Sequence, residues 1–133
     1  MSRKSDRENL VKMIYEMEIN HDFSRPVHDG FVENVPAEKP GEYFGKVYEI
    51  IAGHKDDIDE QINEHSIKWR TERMAAVDLA ILRVAAAEIL YVREVPESVS
   101  INEAVNLAKK YGTDKSSGFI NGVLGGMVNS NEG

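Results

Sequence analysis

Apolar positions recur along most of this chain at three- and four-residue intervals. That is the spacing of one face of an α-helix, and strict strand-like alternation is almost absent. Leu10, Val11, Ile14, Tyr15 and Met17 form the first such face. Ser5 precedes it with Glu8 three residues on, which predicts a capping box. His21 to Pro40 is irregular, broken by Pro26, Gly30, Pro36 and Pro40, with room for a short helix over His28–Val35. Tyr43, Phe44, Val47, Tyr48 and Ile51 make a second face within Glu42–Gly53, with Gly53 as a stop. Ile58 and Ile62 stand among acids in Lys55–His65, the pattern of a half-exposed helix.

Thr71 to Val95 reads as a long, nearly all-apolar helix that Pro96 ends. Ser100 and Glu103 predict a second capping box. It opens a helix with Ile101, Ala104, Val105, Ala108 and Tyr111 inward, closed at Gly112. Ser116 is placed to cap a last helix, whose stripe is Phe119, Ile120, Val123, Leu124, Met127 and Val128. Within it, Gly122 invites close helix packing. Asn129 to Gly133 reads as a polar tail. The expectation is an all-α fold of six or seven helices in two packed helical bundles. A single domain over residues 1–133 would hold an N-terminal bundle of about 1–66 and a C-terminal bundle of about 67–133. Trp69 is the expected plug between them.

Charge sharpens this picture. The net charge is −7, and ten acids against three bases lie between Asp29 and Ser66. The rest of the chain is balanced, so the whole excess sits in one middle segment. Such a balance disfavours general nucleic-acid binding but leaves room for a local basic patch. Within Ala75–Val92 only Asp78, Arg83 and Glu88 are charged, which suits a buried central helix and not a bilayer span. A buried charge needs a partner, so Arg83 is expected to anchor neighbouring helices. Cysteine is absent, which removes disulfides and thiolate metal sites. The residues Met1 to Glu8 lack the apolar stretch of a secretory signal, so a cytoplasmic location is expected.

Catalytic patterns are missing. There is no Gly-x-x-x-x-Gly-Lys loop and no Gly-x-Gly-x-x-Gly after a strand. The four histidines are not at metal-binding spacing on one helix, so no metal or other cofactor is expected. The acids Asp56, Asp57, Asp59 and Glu60 are near neighbours on an exposed face, unlike carboxylates that converge in an apolar cleft. No enzyme is expected.

One cluster does suggest a ligand. Lys109-Lys110-Tyr111-Gly112-Thr113-Asp114-Lys115-Ser116 joins two helices, and Phe119 lies in the first turn of the second. Cations, hydroxyls and an aromatic face would meet at a helix start, where an anionic ligand with stackable bases could dock. Arg3, Lys4 and Arg7 form a second cationic run able to contact phosphates. Each feature also has a plain reading. Lys109 and Lys110 suit a helix C-terminus, Arg3 to Arg7 suit a soluble terminus, and Phe119 fits the core stripe.

Ile81-Leu82-Arg83-Val84-Ala85, Glu88-Ile89, Val99 to Lys109, Gly112 and Phe119-Ile120-Asn121-Gly122-Val123-Leu124 together resemble the NusB family of bacterial transcription antitermination factors. Arg7-Glu8, Tyr15 and Trp69 fall where that family places such residues. The resemblance covers essentially the whole chain. It implies two perpendicular helical bundles and binding of boxA-type RNA together with NusE, the ribosomal protein S-ten. That complex would join elongating RNA polymerase and suppress termination. By position, Arg3, Lys4, Arg7, Lys110, Lys115, Ser116 and Phe119 would face RNA. Tyr15 and Asp78 would face the ribosomal protein. The rival reading is a purely protein-binding helical adaptor. No membrane contact is expected, and monomer and homodimer both stay open.

Overall fold

The computed structural model describes residues 2–35 and 38–132, the side chains of 131 and 132 excepted. Met1, Pro36 and Gly133, which enter the sequence reading, lie outside the described residues. Six α-helices follow in order: α1 (Arg3–Asn20), α2 (Arg25–Asn34), α3 (Glu42–His65), α4 (Ala76–Tyr91), α5 (Glu97–Tyr111) and α6 (Ser116–Glu132). A short 3₁₀ turn, Thr71–Arg73, leads into α4. No strand occurs among the described residues.

Helix α4 is the axis of the molecule, packing against α1, α3, α5 and α6. Its Leu79 to Glu88 are buried without a break, which is why its sequence is apolar all round. The three-alanine run Ala85-Ala86-Ala87 lets neighbouring helices approach closely from several sides. One hydrophobic cluster joins Leu10, Ile14, Phe44, Ile58, Leu82, Ile120 and Leu124, and so runs through both expected halves.

The two charges buried deepest in α4 are both paired. Arg83 donates from Nε and Nη2 to the two Asp59 oxygens at 2.9 and 2.8 Å, and from Nη1 to Glu18 at 2.6 Å. This ties α4 to α3 and α1, as the sequence led one to expect. Burial works against the charged guanidinium, but the bonds to Asp59 and Glu18 outweigh it and hold its pKa above the ordinary value. Glu88 accepts from Arg7 Nε at 2.7 Å and from the Tyr43 hydroxyl.

Several boundaries differ from the expectation. Helix α1 starts at Arg3, capped by Ser2, whose hydroxyl accepts from the Ser5 amide at 3.1 Å. The earlier start turns Asp6 inward, where it accepts from the Gly41 and Phe44 amides and so caps α3 from across the fold. The expected stop at Gly53 is present as a kink: His54 leaves helical geometry (φ −130°, ψ 22°), so α3 is two helical segments joined across it. The long helix begins at Ala76 and ends at Tyr91, because the residues before it form the 3₁₀ turn. Helix α5 begins at Glu97 after Pro96, so Ser100 is a buried interior residue and not a cap. Helix α6 continues through the expected polar tail to Glu132. Gly122 is exposed, with no neighbour near the place of a Cβ, so no helix packs closely there.

Candidate nucleic-acid interface

The turn between α5 and α6 is built around Gly112. A Cβ there would stand 2.5 Å from Ser116 Cβ and 2.8 Å from the Ala108 carbonyl, so only glycine lets α6 start so close to the end of α5. The Ser116 hydroxyl accepts from the Thr113 amide at 3.0 Å and closes the turn. Ser116 is buried, so it shapes the elbow and does not present its hydroxyl to a ligand. Lys115 is exposed, and Phe119 is half-buried in the first turn of α6.

Folding brings α1 to this elbow. Glu8 accepts from Lys110 Nζ at 2.5 Å and from the Tyr111 hydroxyl at 2.5 Å. Those two bonds, Lys110 first, hold the Glu8 carboxyl below its ordinary pKa. The same contact raises the pKa of Lys110. Lys4 lies one helical turn before Glu8 and shares its side of α1. Lys12, one turn further on, stands 5.9 Å from the centre of the Tyr111 ring. The residue of α1 that reaches the elbow is therefore the acid Glu8, with Lys4 and Lys12 one turn to either side of it. The sequence reading missed Lys12, although its four-residue step from Glu8 would have found it.

Arg3 and Arg7 depart from the expected cluster. Arg7 is only 6% exposed and serves Glu88, so its charge is consumed inside the molecule. Arg3 is exposed but leans over the Tyr43 ring, 4.5 Å from its centre, and lies 3.8 Å from Glu94.

On the far side of the elbow a cleft of about 560 Å³ opens between α6, the start of α4 and the loop before it. Lys68, Trp69, Arg73, Asp78, Lys115 and Phe119 line it. Trp69 is thus not a plug between two halves. It is 46% exposed, with Lys68 Nζ 5.7 Å from its ring centre. The sequence reading missed Lys68 and Arg73 here, because only the fold sets that loop beside Phe119. Helix α6 begins at this cleft, so the positive end of its dipole adds to the cations.

Tyr15 and Asp78 do not share a cavity. Tyr15 lines a separate groove of about 540 Å³ with Val11, Phe31, Val77 and Tyr111, and Lys12 and Glu16 border it. Val77 faces that groove and Asp78 faces the cleft, so consecutive residues of α4 border both.

An all-helical domain with a cationic, aromatic-lined cleft at a helix–helix elbow is the class that fold and site define. The chain belongs to the NusB family, whose model matches residues 4–129. The transcription antitermination protein NusB of Alkaliphilus oremlandii is 45% identical over 129 residues, covering 96% of this chain and 94% of that one. A Thermotoga structure, T. maritima NusB, superposes with a TM-score of 0.87 at 28% identity, covering 97% of this chain and 92% of the other. A crystal structure of antitermination factors NusB and NusE in complex with dsRNA contains a chain 25% identical, with a TM-score of 0.84 and 96% of each chain covered. No helix among the described residues is long and apolar enough to cross a membrane.

Proposed function

We propose that this chain is a transcription antitermination factor that binds boxA-type single-stranded RNA together with NusE and supports processive transcription of ribosomal RNA. It acts by binding, as a non-enzymatic cytoplasmic partner of elongating RNA polymerase. The observation that carries this reading is the Glu8 bridge to Lys110 and Tyr111, which sets the α1 cations beside the elbow. Lys4, Lys12, Lys110 and Lys115 supply phosphate contacts, and Phe119 supplies a stacking face. The Tyr15 groove, largely apolar through Val11, Phe31 and Val77 and edged by Lys12 and Glu16, takes the ribosomal protein. The chain works as one domain, with residues of about 1–66 and 67–133 as its two bundles.

The test is binding of boxA RNA and a scrambled RNA, with and without NusE, across salt. We expect tighter binding of boxA, most strongly with NusE present. Lys110→Ala or Lys115→Ala should lower the salt slope by about one charge each. Phe119→Ala should weaken binding by about tenfold with little change in slope. Equal affinity for both RNAs under every condition would overturn the reading. Capture of protein partners that nuclease leaves intact, with no RNA affinity, would favour the adaptor instead.

A further inference from the structure

Another groove, of about 530 Å³, lies between α1 and α2. Its α1 wall is polar. Asn9, Lys12, Glu16 and Asn20 follow at steps of three and four, so they form one line along the helix. Its α2 wall is apolar through Val27 and Phe31, with Val35 just beyond the helix and Asn34 at its end. Asn20 Nδ2 donates to the Glu16 carbonyl at 3.0 Å and Asn34 Nδ2 to the Gly30 carbonyl at 2.7 Å. Each amide is thereby oriented, with an oxygen and a second N–H left over. The Asn9 side chain makes no hydrogen bond among the described residues. Gly30 stands inside α2, where glycine costs stability, and a Cβ there would meet nothing within 4 Å. The fold itself does not need that glycine, which leaves bare backbone at the groove. Lys12, Glu16 and Phe31 line this groove and the Tyr15 groove alike, so the two are continuous.

We propose that the α1–α2 groove holds an extended segment of the same protein partner that seats in the Tyr15 groove, bound along its backbone by Asn9, Asn20 and Asn34. The proposal rests on the reading of the Tyr15 groove as the ribosomal-protein site and adds a second half to it. An extended segment brings unpaired backbone N–H and C=O groups, and side-chain amides offer both a donor and an acceptor to them. The lengths agree. Asn9 and Asn20 are eleven positions apart, which at ~1.5 Å per helical residue is roughly the reach of five extended residues at ~3.3 Å each. Alternate side chains of such a segment point the same way, so every second one would meet Val27, Phe31 and Val35. The charge of the groove also selects. Lys12 is its one cation and Glu16 opposes it, so a run of phosphates finds little here, while an uncharged peptide backbone meets no penalty. Gly30 lets that backbone approach α2 closely.

The test is calorimetric titration of purified NusE into the full chain and its variants. Gly30→Leu places a side chain in the groove without touching the core, and it should weaken NusE binding by about tenfold or more. Gly30→Ala adds only a methyl group and should stay within about threefold of the parent. Asn9→Ala and Asn20→Ala each remove one backbone contact and should weaken binding by about three- to tenfold. Binding of boxA-type RNA in the absence of NusE should be unchanged in all four. The chain has no cysteine, so Asn34→Cys gives a single point of attachment for a photoreactive benzophenone at the end of the groove. Irradiation with NusE should cross-link one short contiguous stretch of NusE.

Melting curves accompany each variant, and both Gly30 variants should melt no lower than the parent. Should Gly30→Leu melt lower, Asn9→Ala and Asn20→Ala decide, and unchanged affinity in both overturns the proposal. Tight NusE binding by Gly30→Leu, beside weakened binding by Tyr15→Ala, overturns the second half of the site and leaves the Tyr15 groove standing. No binding of NusE to the parent chain overturns both readings. Cross-links to a second copy of the chain alone make the groove a self-association face and overturn the proposal. Loss of RNA affinity in Gly30→Leu without NusE overturns it as well, by making the groove part of the RNA surface.

Discussion

Arg7 and Arg83 are cations whose charge is spent inside the molecule. Glu88 is 1% exposed and depends on Arg7 for its counter-charge. Arg7→Ala therefore leaves a buried carboxylate unpaired, and we expect a loss of about 3–5 kcal/mol in urea unfolding. The salt slope of RNA binding should not change. A slope reduced by one charge at intact stability would return Arg7 to the RNA surface. Arg83 was legible as an anchor because it is the one cation in an apolar helix. Arg7 was not, because Arg3, Lys4 and Arg7 read as one basic run, and its partner lies 81 positions away. A smaller strain sits at His21, which ends α1 in the left-handed conformation (φ 51°, ψ 43°) while its amide and that of Asp22 close the helix. His21→Gly keeps those bonds without the steric cost, and we expect a gain of about 0.5–1 kcal/mol by the same measurement.

At the scale of elements, the elbow is held by contacts of opposite legibility. Gly112 announces a helix end in the sequence, and its crowding by Ser116 and Ala108 explains why. The Glu8 bridge gave no such signal, since Glu8 read as the acid of a local capping box. The helix starts one turn earlier than that box required, and Glu8 is freed to reach α5. Its carboxyl has a folded pKa below the ordinary 4.5. The bridge thus contributes stability above the carboxylate range and loses it as the pH falls through the lowered value. Glu8→Gln should show a small stability deficit at neutral pH that fades as the pH drops below 4.5, followed by thermal melting across pH. The same variant loosens the tie between α1 and the elbow, so RNA binding should weaken. Tighter binding would mean that the bridge only masks Lys110 and does not position the elbow. Element identities and core faces were readable because helical period and burial agree along most of the chain. Helix ends were less so, because side chains from distant helices, Asp6 above all, cap them.

For the whole molecule, the decisive arrangement is that two cavities border Val77 and Asp78, one largely apolar and edged by Lys12 and Glu16, the other rimmed by Lys68, Arg73 and Lys115. Each ligand would seat against one of two consecutive residues of α4, and the acids between Asp29 and Ser66 lie outside both linings. An acidic body attracts a basic ribosomal protein over long range and discourages indiscriminate RNA contact. If the two ligands strengthen each other's binding, the coupling is reciprocal: whatever factor the protein adds to RNA affinity, RNA adds to protein affinity. Tyr15 allows the two terms to be separated. It is 41% exposed, so its removal leaves the core intact. Tyr15→Ala should weaken NusE binding by about tenfold, as expected of an aromatic anchor in a groove. Binding of RNA to the chain alone should be unchanged. The enhancement of RNA binding at a fixed subsaturating concentration of NusE should fall in proportion, and recover when NusE is raised. Isothermal titration of each pair and of the ternary mixture measures all three quantities. A loss of binary RNA affinity in Tyr15→Ala would show that the groove and the cleft are one site, and that RNA crosses the start of α4 unaided.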